Sequence, residues 1–173
     1  RLQAALKDNR LDLCVQPILA VGSRSGRGPA LEVFLRLADE AGRLVPPREF
    51  LPAAERYHLV GGLDRWVVRT TLAALGQGVI RVPENRSCTI NLSAQSLSEE
   101  DFLEFVVECL DQSQVSPAQV CFEVTETVLM ADPERAERFA SVLHGMGCQF
   151  GLDDFGSGVG ALASLRGLDI DYL

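Results

Sequence analysis

Histidine is scarce in this chain, with two in 173 residues, and no Cys-x-x-Cys pair occurs. That combination argues against zinc or copper chemistry, which draws on imidazole and thiolate ligands. Basic residues are also in deficit: 16 Lys plus Arg stand against 24 Asp plus Glu, a net charge of −8. A field of that sign repels polyanions and carries no footprint of a nucleic-acid polymer partner, whereas a cation-dependent site suits it. No apolar run approaches the roughly 20 residues of a membrane-spanning helix. The start, Arg1-Leu2-Gln3-Ala4-Ala5-Leu6, has no signal-peptide apolar region. The expectation is a cytoplasmic segment without membrane contact, excised from a longer protein because it lacks an initial Met. Pro-rich, Gly-x-y and repeated segments are absent, which excludes fibrous and solenoid architectures.

What remains is the composition of one globular domain, with 47% hydrophobic residues. The five cysteines, Cys14, Cys88, Cys109, Cys121 and Cys148, stand singly in apolar surroundings and read as small buried hydrophobes in a reducing compartment. Strand-like and helix-like segments alternate, the signature of parallel βα units. Strands are expected over 11–21, 30–37, 87–92, 120–125, 149–153 and 168–173, with a flexible hairpin-length loop over 22–29 between the first two. Helices are expected over 49–58, from 63 to about 75 with Gly76 and Gly78 closing it, and from Ser93 or Ser98 to Leu110. Two more follow over 132–144, opened by Asp132-Pro133 and ended by Gly145 and Gly147, and over 160–165. About six strands make an α/β barrel that stops early.

In such barrels the chemistry sits at the carboxyl ends of strands. The residues ending the apolar runs here are Glu32, Asn91, Glu123 and the adjacent pair Asp153-Asp154. All five are hard oxygen donors, suited to Mg²⁺, Mn²⁺ or Ca²⁺. Adjacent aspartates allow one to bridge two ions while the other binds one, an arrangement for displacement at phosphorus. Read alone, an acid after a strand is a helix cap or loop residue; the set of five outweighs that reading. Glu126 reads as a supporting or structural carboxylate, and His58, His144, Trp66, Phe102 and Phe105 as surface or packing residues.

At these residues the chain resembles the EAL-domain family, cyclic di-GMP phosphodiesterases and their catalytically inactive relatives. The motifs are Gln16-Pro17-Ile18, Glu32-Val33-Phe34-Leu35-Arg36, Pro46 with Phe50, Pro52 and Ala54-Glu55, Leu63-Asp64-Arg65-Trp66, Ile90-Asn91-Leu92-Ser93, Phe122-Glu123-Val124-Thr125-Glu126-Thr127 and Leu152-Asp153-Asp154-Phe155-Gly156-Ser157-Gly158. The resemblance implies a modified TIM (β/α)8 barrel, present here over 1–173 without its later strands. It implies a two-metal site for Mg²⁺ or Mn²⁺ on Glu32, Asn91, Glu123, Asp153 and Asp154, with Glu32 and Asp153 in the catalytic role and Ca²⁺ binding without turnover. It implies a groove for cyclic di-GMP lined by Gln16, Leu35, Arg36, Pro46 and Asp64, with Arg36 on a phosphate or guanine face. Homodimerisation and neighbouring sensor or cyclase domains are further implications.

The chain departs from the pattern in three places. Val33-Phe34 stand where the family has Ala-Leu. Val159-Gly160-Ala161-Leu162 replace its Tyr-Ser-Ser-Leu. The sequence ends at Asp171-Tyr172-Leu173, ahead of the family's lysine and of a later glutamate and glutamine. Hydrolysis of cyclic di-GMP in bacterial signalling is the first reading, and a receptor that binds without cutting is the second. A scaffold that has lost the ligand is the third, and intact Glu32 and Arg36 argue against it.

Overall fold

The computed structural model describes residues 10–19, 28–39, 41–156 and 169–173. Six strands form one sheet: β1 (Leu11–Pro17), β2 (Gly28–Ala38), β3 (Leu44–Val45), β4 (Arg86–Asn91), β5 (Val120–Thr125) and β6 (Gln149–Asp153). Their order is β1-β2-β4-β5-β6, with β3 pairing β2. β1 and β3 run antiparallel to β2, and β2, β4, β5 and β6 run parallel.

Parallel neighbours need long crossovers, and helices supply them. α1 (Pro47–Arg56) and α2 (Val60–Gly76) lead from β3 to β4. α3 (Ala94–Ser98) and α4 (Phe102–Gln112) lead to β5, and α5 (Glu126–Ala131) and α6 (Pro133–Met146) lead to β6. The sequence marks several of these starts chemically. The Ser93 side chain accepts the Ser96 N–H, and Asp132 accepts the Arg135 N–H beside Pro133. α6 stops at Gly147, whose φ of +94° is a left-handed conformation that costs glycine nothing.

Period-two alternation divides each strand between two faces. Val33, Cys88, Ile90, Val120, Phe122, Val124, Phe150 and Leu152 enter one core with Val68 and Leu72 of α2, Phe102 and Val106 of α4, and Phe139 and Leu143 of α6. A second cluster, Leu11, Phe50, Ala54, Val60 and Leu63, holds α1 and the start of α2. Arg65 of α2 ties to α4 by reaching Glu99 at 2.9 Å and Asp101 at 2.7 Å while lying over the rings of Phe102 and Phe105. All five cysteines are free thiols, and burial pushes Cys88 and Cys148 up to about 12.

Residues 171–172 begin to pair beside β6. Asp171 N–H donates to Phe150 O, Leu152 N–H donates to Tyr172 O, and Tyr172 bridges Gly151 in parallel. The Asp171 carboxylate accepts the Phe150 N–H at 2.9 Å and lies 2.8 Å from His144 Nε2.

The expected α/β class is the observed one, with local corrections. β1 ends at Pro17 rather than Val21, where proline withdraws an N–H from the ladder. The segment from Ser93 to Leu110 is two helices rather than one, and Gly76 lies inside α2, which runs to it before Gln77 caps the end. β3 and α5 are additions to the expected elements. The expected helix over 160–165 and the Val159-Gly160-Ala161-Leu162 departure lie outside the described residues.

Candidate functional site

The strand face opposite the core is polar at the carboxyl edge. Glu32 is the last β2 residue paired with β4, level with Thr89. Asn91 ends β4 level with Glu123 of β5, and Glu123 is level with Gly151 of β6. Asp153 ends β6, level with Thr125. Gln16 faces Glu32 across the antiparallel β1–β2 pair. Gln16, Glu32, Asn91, Glu123 and Asp153 therefore share one face: Asn91, Glu123 and Asp153 lie at or near the carboxyl ends of their strands, and Glu32 lies within β2 where its pairing with β4 stops.

Asn91 Nδ2 donates to Glu32 Oε1 at 2.8 Å, which orients both groups and leaves the amide oxygen of Asn91 as an acceptor. Glu123 crosses the backbone of β6: a Cβ on Gly151 would lie 2.7 Å from Glu123 Cγ, so glycine makes room for it. Burial, then the nearby charges of Glu32 and Asp153, push the Glu123 carboxyl up to about 7, opposed by the Thr89 hydroxyl.

Asp154 follows the end of β6 at φ +54°, a left-handed conformation that aspartate tolerates, and its N–H donates to Asp153 Oδ1 at 2.8 Å. The turn beyond is held from α5. Glu126, 4% exposed, accepts the Gly156 N–H on Oε2 at 2.8 Å. The supporting role read for Glu126 has this hydrogen bond as its physical content.

The groove residues separate. Arg36 shares the face of Glu32, donates to Leu35 O at 2.9 Å and holds its guanidinium 5.6 Å from the Phe34 ring centre. Phe34 is on that face too, whereas Leu35 alternates to the other side and packs against both core clusters. Pro46 immediately precedes α1. Asp64 on α2 accepts the Ser93 N–H at 2.9 Å and the Ser96 hydroxyl at 2.6 Å through Oδ2, bracing the turn just after Asn91. Burial pushes its carboxyl above the usual carboxylate range. In the sequence Phe34 marks a departure from the family motif, and strict alternation from Glu32 through Phe34 to Arg36 also places it on the site's face.

The donors present fit a divalent cation: they are hard oxygens, and Glu123 carries an electrostatic load from like charges that a cation would relieve. Among the described residues, no three acidic, histidine or cysteine side chains close into a ready cation cage. The donors are aligned by their strands, and Asn91–Glu32 is the pair already in contact.

This arrangement is a mostly parallel α/β barrel-type sheet with oxygen donors on one face, at or near the points where its parallel strands stop pairing. The chain belongs to the EAL domain family, whose defining pattern matches residues 1–173. It is 34% identical over 173 residues to the cyclic di-GMP phosphodiesterase PdeB of Shewanella oneidensis, covering 100% of this chain and 20% of that protein. The chain thus spans about a fifth of the length of this curated relative. The FimX EAL domain from Pseudomonas aeruginosa bound to c-di-GMP superposes with a TM-score of 0.86 at 27% identity, over 98% of this chain and 66% of that one. The PaMucR phosphodiesterase in complex with c-di-GMP gives 0.84 at 28% identity, over 98% and 68%.

Proposed function

We propose that this chain binds cyclic di-GMP over the carboxyl ends of β2, β4, β5 and β6 and opens it to the linear dinucleotide, using two divalent cations, Mg²⁺ or Mn²⁺. The observation that carries this reading is the alignment of Glu32, Asn91, Glu123 and Asp153 on one polar face, in a chain whose relative PdeB is named a cyclic di-GMP phosphodiesterase.

Glu32, Asn91, Glu123, Asp153 and Asp154 are the residues that would hold the cations, which when bound acidify water and neutralise charge at phosphorus. Asn91 fixes Glu32 and presents its own carbonyl oxygen. Arg36 meets a phosphate oxygen or a guanine face, with the Phe34 ring beside it as a flat apolar surface. Gln16, opposite Glu32, and Pro46, ahead of α1, line the groove. Asp64 offers its second oxygen to a guanine edge, and Leu35 acts from the far side by anchoring β2 on the core.

A receptor that holds the dinucleotide without cutting it is the second reading. It is favoured by Val33-Phe34 beside Glu32 and by an Arg36–Phe34 contact that needs no metal ion. In both readings the chain works in the cytoplasm as a homodimer, coupled to sensor or cyclase domains.

The test uses the full chain: cyclic di-GMP is titrated in Ca²⁺, the metal is exchanged for Mg²⁺ or Mn²⁺, and the linear product is followed by chromatography. Turnover that is lost in Glu32→Ala supports the enzyme. Binding without product under every metal supports the receptor, and absence of binding overturns both.

A further inference from the structure

One level beneath Asn91 and Glu123 on the same strand face lies Thr89, fully buried at 0% exposure. It stands two residues before Asn91 on β4, level with Glu32 on one side and with Cys121 of β5 on the other. Among the described residues its Oγ1 has no hydrogen-bond partner. Buried hydroxyls are ordinarily paired, so an unpaired one at this position calls for a function. Cys121 is a poor partner, since a thiol accepts weakly. The strong acceptor one level above and one strand across is Glu123, near enough for the hydroxyl to favour its ionised form. On its far flank Glu123 has no side-chain wall, because position 151 is glycine and the Glu123 side chain lies across it. A carboxylate with an open flank on β6 and a donor toward β4 is oriented by that donor.

We propose that Thr89 is a positioning residue: its hydroxyl donates to Glu123 and fixes the carboxylate in the orientation in which it meets a divalent cation. Through Glu123 it acts on the cation without touching it. This rests on the reading of Glu123 as a cation ligand.

The experiment measures Mn²⁺ affinity of the full chain by electron paramagnetic resonance, without dinucleotide, alongside the thermal midpoint of the metal-free protein. Thr89→Val keeps the shape and removes the hydroxyl. Its expected Mn²⁺ affinity is lower by about ten- to a hundredfold, the usual effect of losing a group that orients a ligand. Its expected midpoint stays close to that of the parent, because the shape is kept and a single hydrogen bond contributes little net stability. Thr89→Ser retains the hydroxyl and keeps the parent affinity. Unchanged affinity in Thr89→Val, or a loss equally large in Thr89→Ser, overturns the proposal. A loss accompanied by a clearly lower midpoint also overturns it, since a folding defect then explains it. Glu123→Gln separates the two levels: if it weakens Mn²⁺ binding while Thr89→Val does not, only the positioning role falls. If Glu123→Gln binds Mn²⁺ as the parent does, the ligand reading and the positioning role fall together.

Discussion

The carboxylate of Glu126, itself buried, accepts the amide N–H of Gly156 across the gap between α5 and the turn after β6, at 2.8 Å. The turn it holds begins with Asp153 and Asp154, so an interaction outside the donor set governs where two of the donors lie. Glu126→Ala leaves the amide without its partner and is expected to lower the rate of the proposed cyclic di-GMP hydrolysis about ten- to a hundredfold. Glu126→Gln retains an acceptor oxygen and should lose less. Rates of both variants, with circular dichroism to confirm the fold, check this.

Glu123 gives a pH signature with a defined sign. Its folded, metal-free carboxyl lies near 7 against an ordinary value of 4.5, so the folded state binds its proton more tightly than the unfolded chain. The contribution to stability is complete below 4.5 and is lost as pH rises through 7. The thermal midpoint measured in chelator should fall across that window and should fall less in Glu123→Gln. Added Mn²⁺ should restore it most at the upper end, where no proton has to be displaced from the ligand.

Asp64 braces the turn that follows Asn91 by accepting from the Ser93 N–H and the Ser96 hydroxyl. Asp64→Ala strands both donors in a partly buried position, at a cost of about 1–3 kcal/mol. Urea unfolding reads that loss. A chemical-shift change at the Asn91 side-chain amide is the accompanying sign that the brace reaches the site.

Phe122 is fully buried in the central strand β5, between β4 and β6. Phe122→Ala is expected to cost about 3–5 kcal/mol in urea unfolding, the range for deleting a buried aromatic ring. A much smaller value would mean that the core collapses around the cavity.

How far the sequence reveals this molecule varies from element to element. β5 and β6 fall at their expected bounds, because each is a short apolar run, buried on the helix side and bracketed by turn residues. The two serines that competed as helix starts resolve into two elements: Ser93 caps α3, and Ser98 ends it. β3 is two residues long and exists through pairing with Leu37 and Ala38, a tertiary contact with no local pattern. α5 is a turn and a half, capped by the Thr125 hydroxyl on the Val128 N–H at 3.4 Å, too short to show a period. The donor set is legible because Asn91, Glu123 and Asp153 follow apolar runs near strand ends, whereas Glu32, inside β2, is marked by the motif it opens. What joins its members is not: the reach of Asn91 to Glu32, of Glu126 to Gly156, and of Glu123 across Gly151 all link residues distant in sequence or on neighbouring strands. Leu35 and Phe34 show the limit of reading a motif as a string. The two are adjacent in sequence, and the pleat sends one to the core and the other to the site's face.

If Glu32, Asn91, Glu123, Asp153 and Asp154 hold cations for hydrolysis of cyclic di-GMP, product formation by the full chain in Mg²⁺ or Mn²⁺, compared with Glu32→Ala, shows it most directly. Linear dinucleotide is expected from the parent and none from the variant, with Ca²⁺ supporting binding alone. Equal product from parent and variant would contradict the assignment of Glu32, and no product from the parent under any metal would contradict the enzyme.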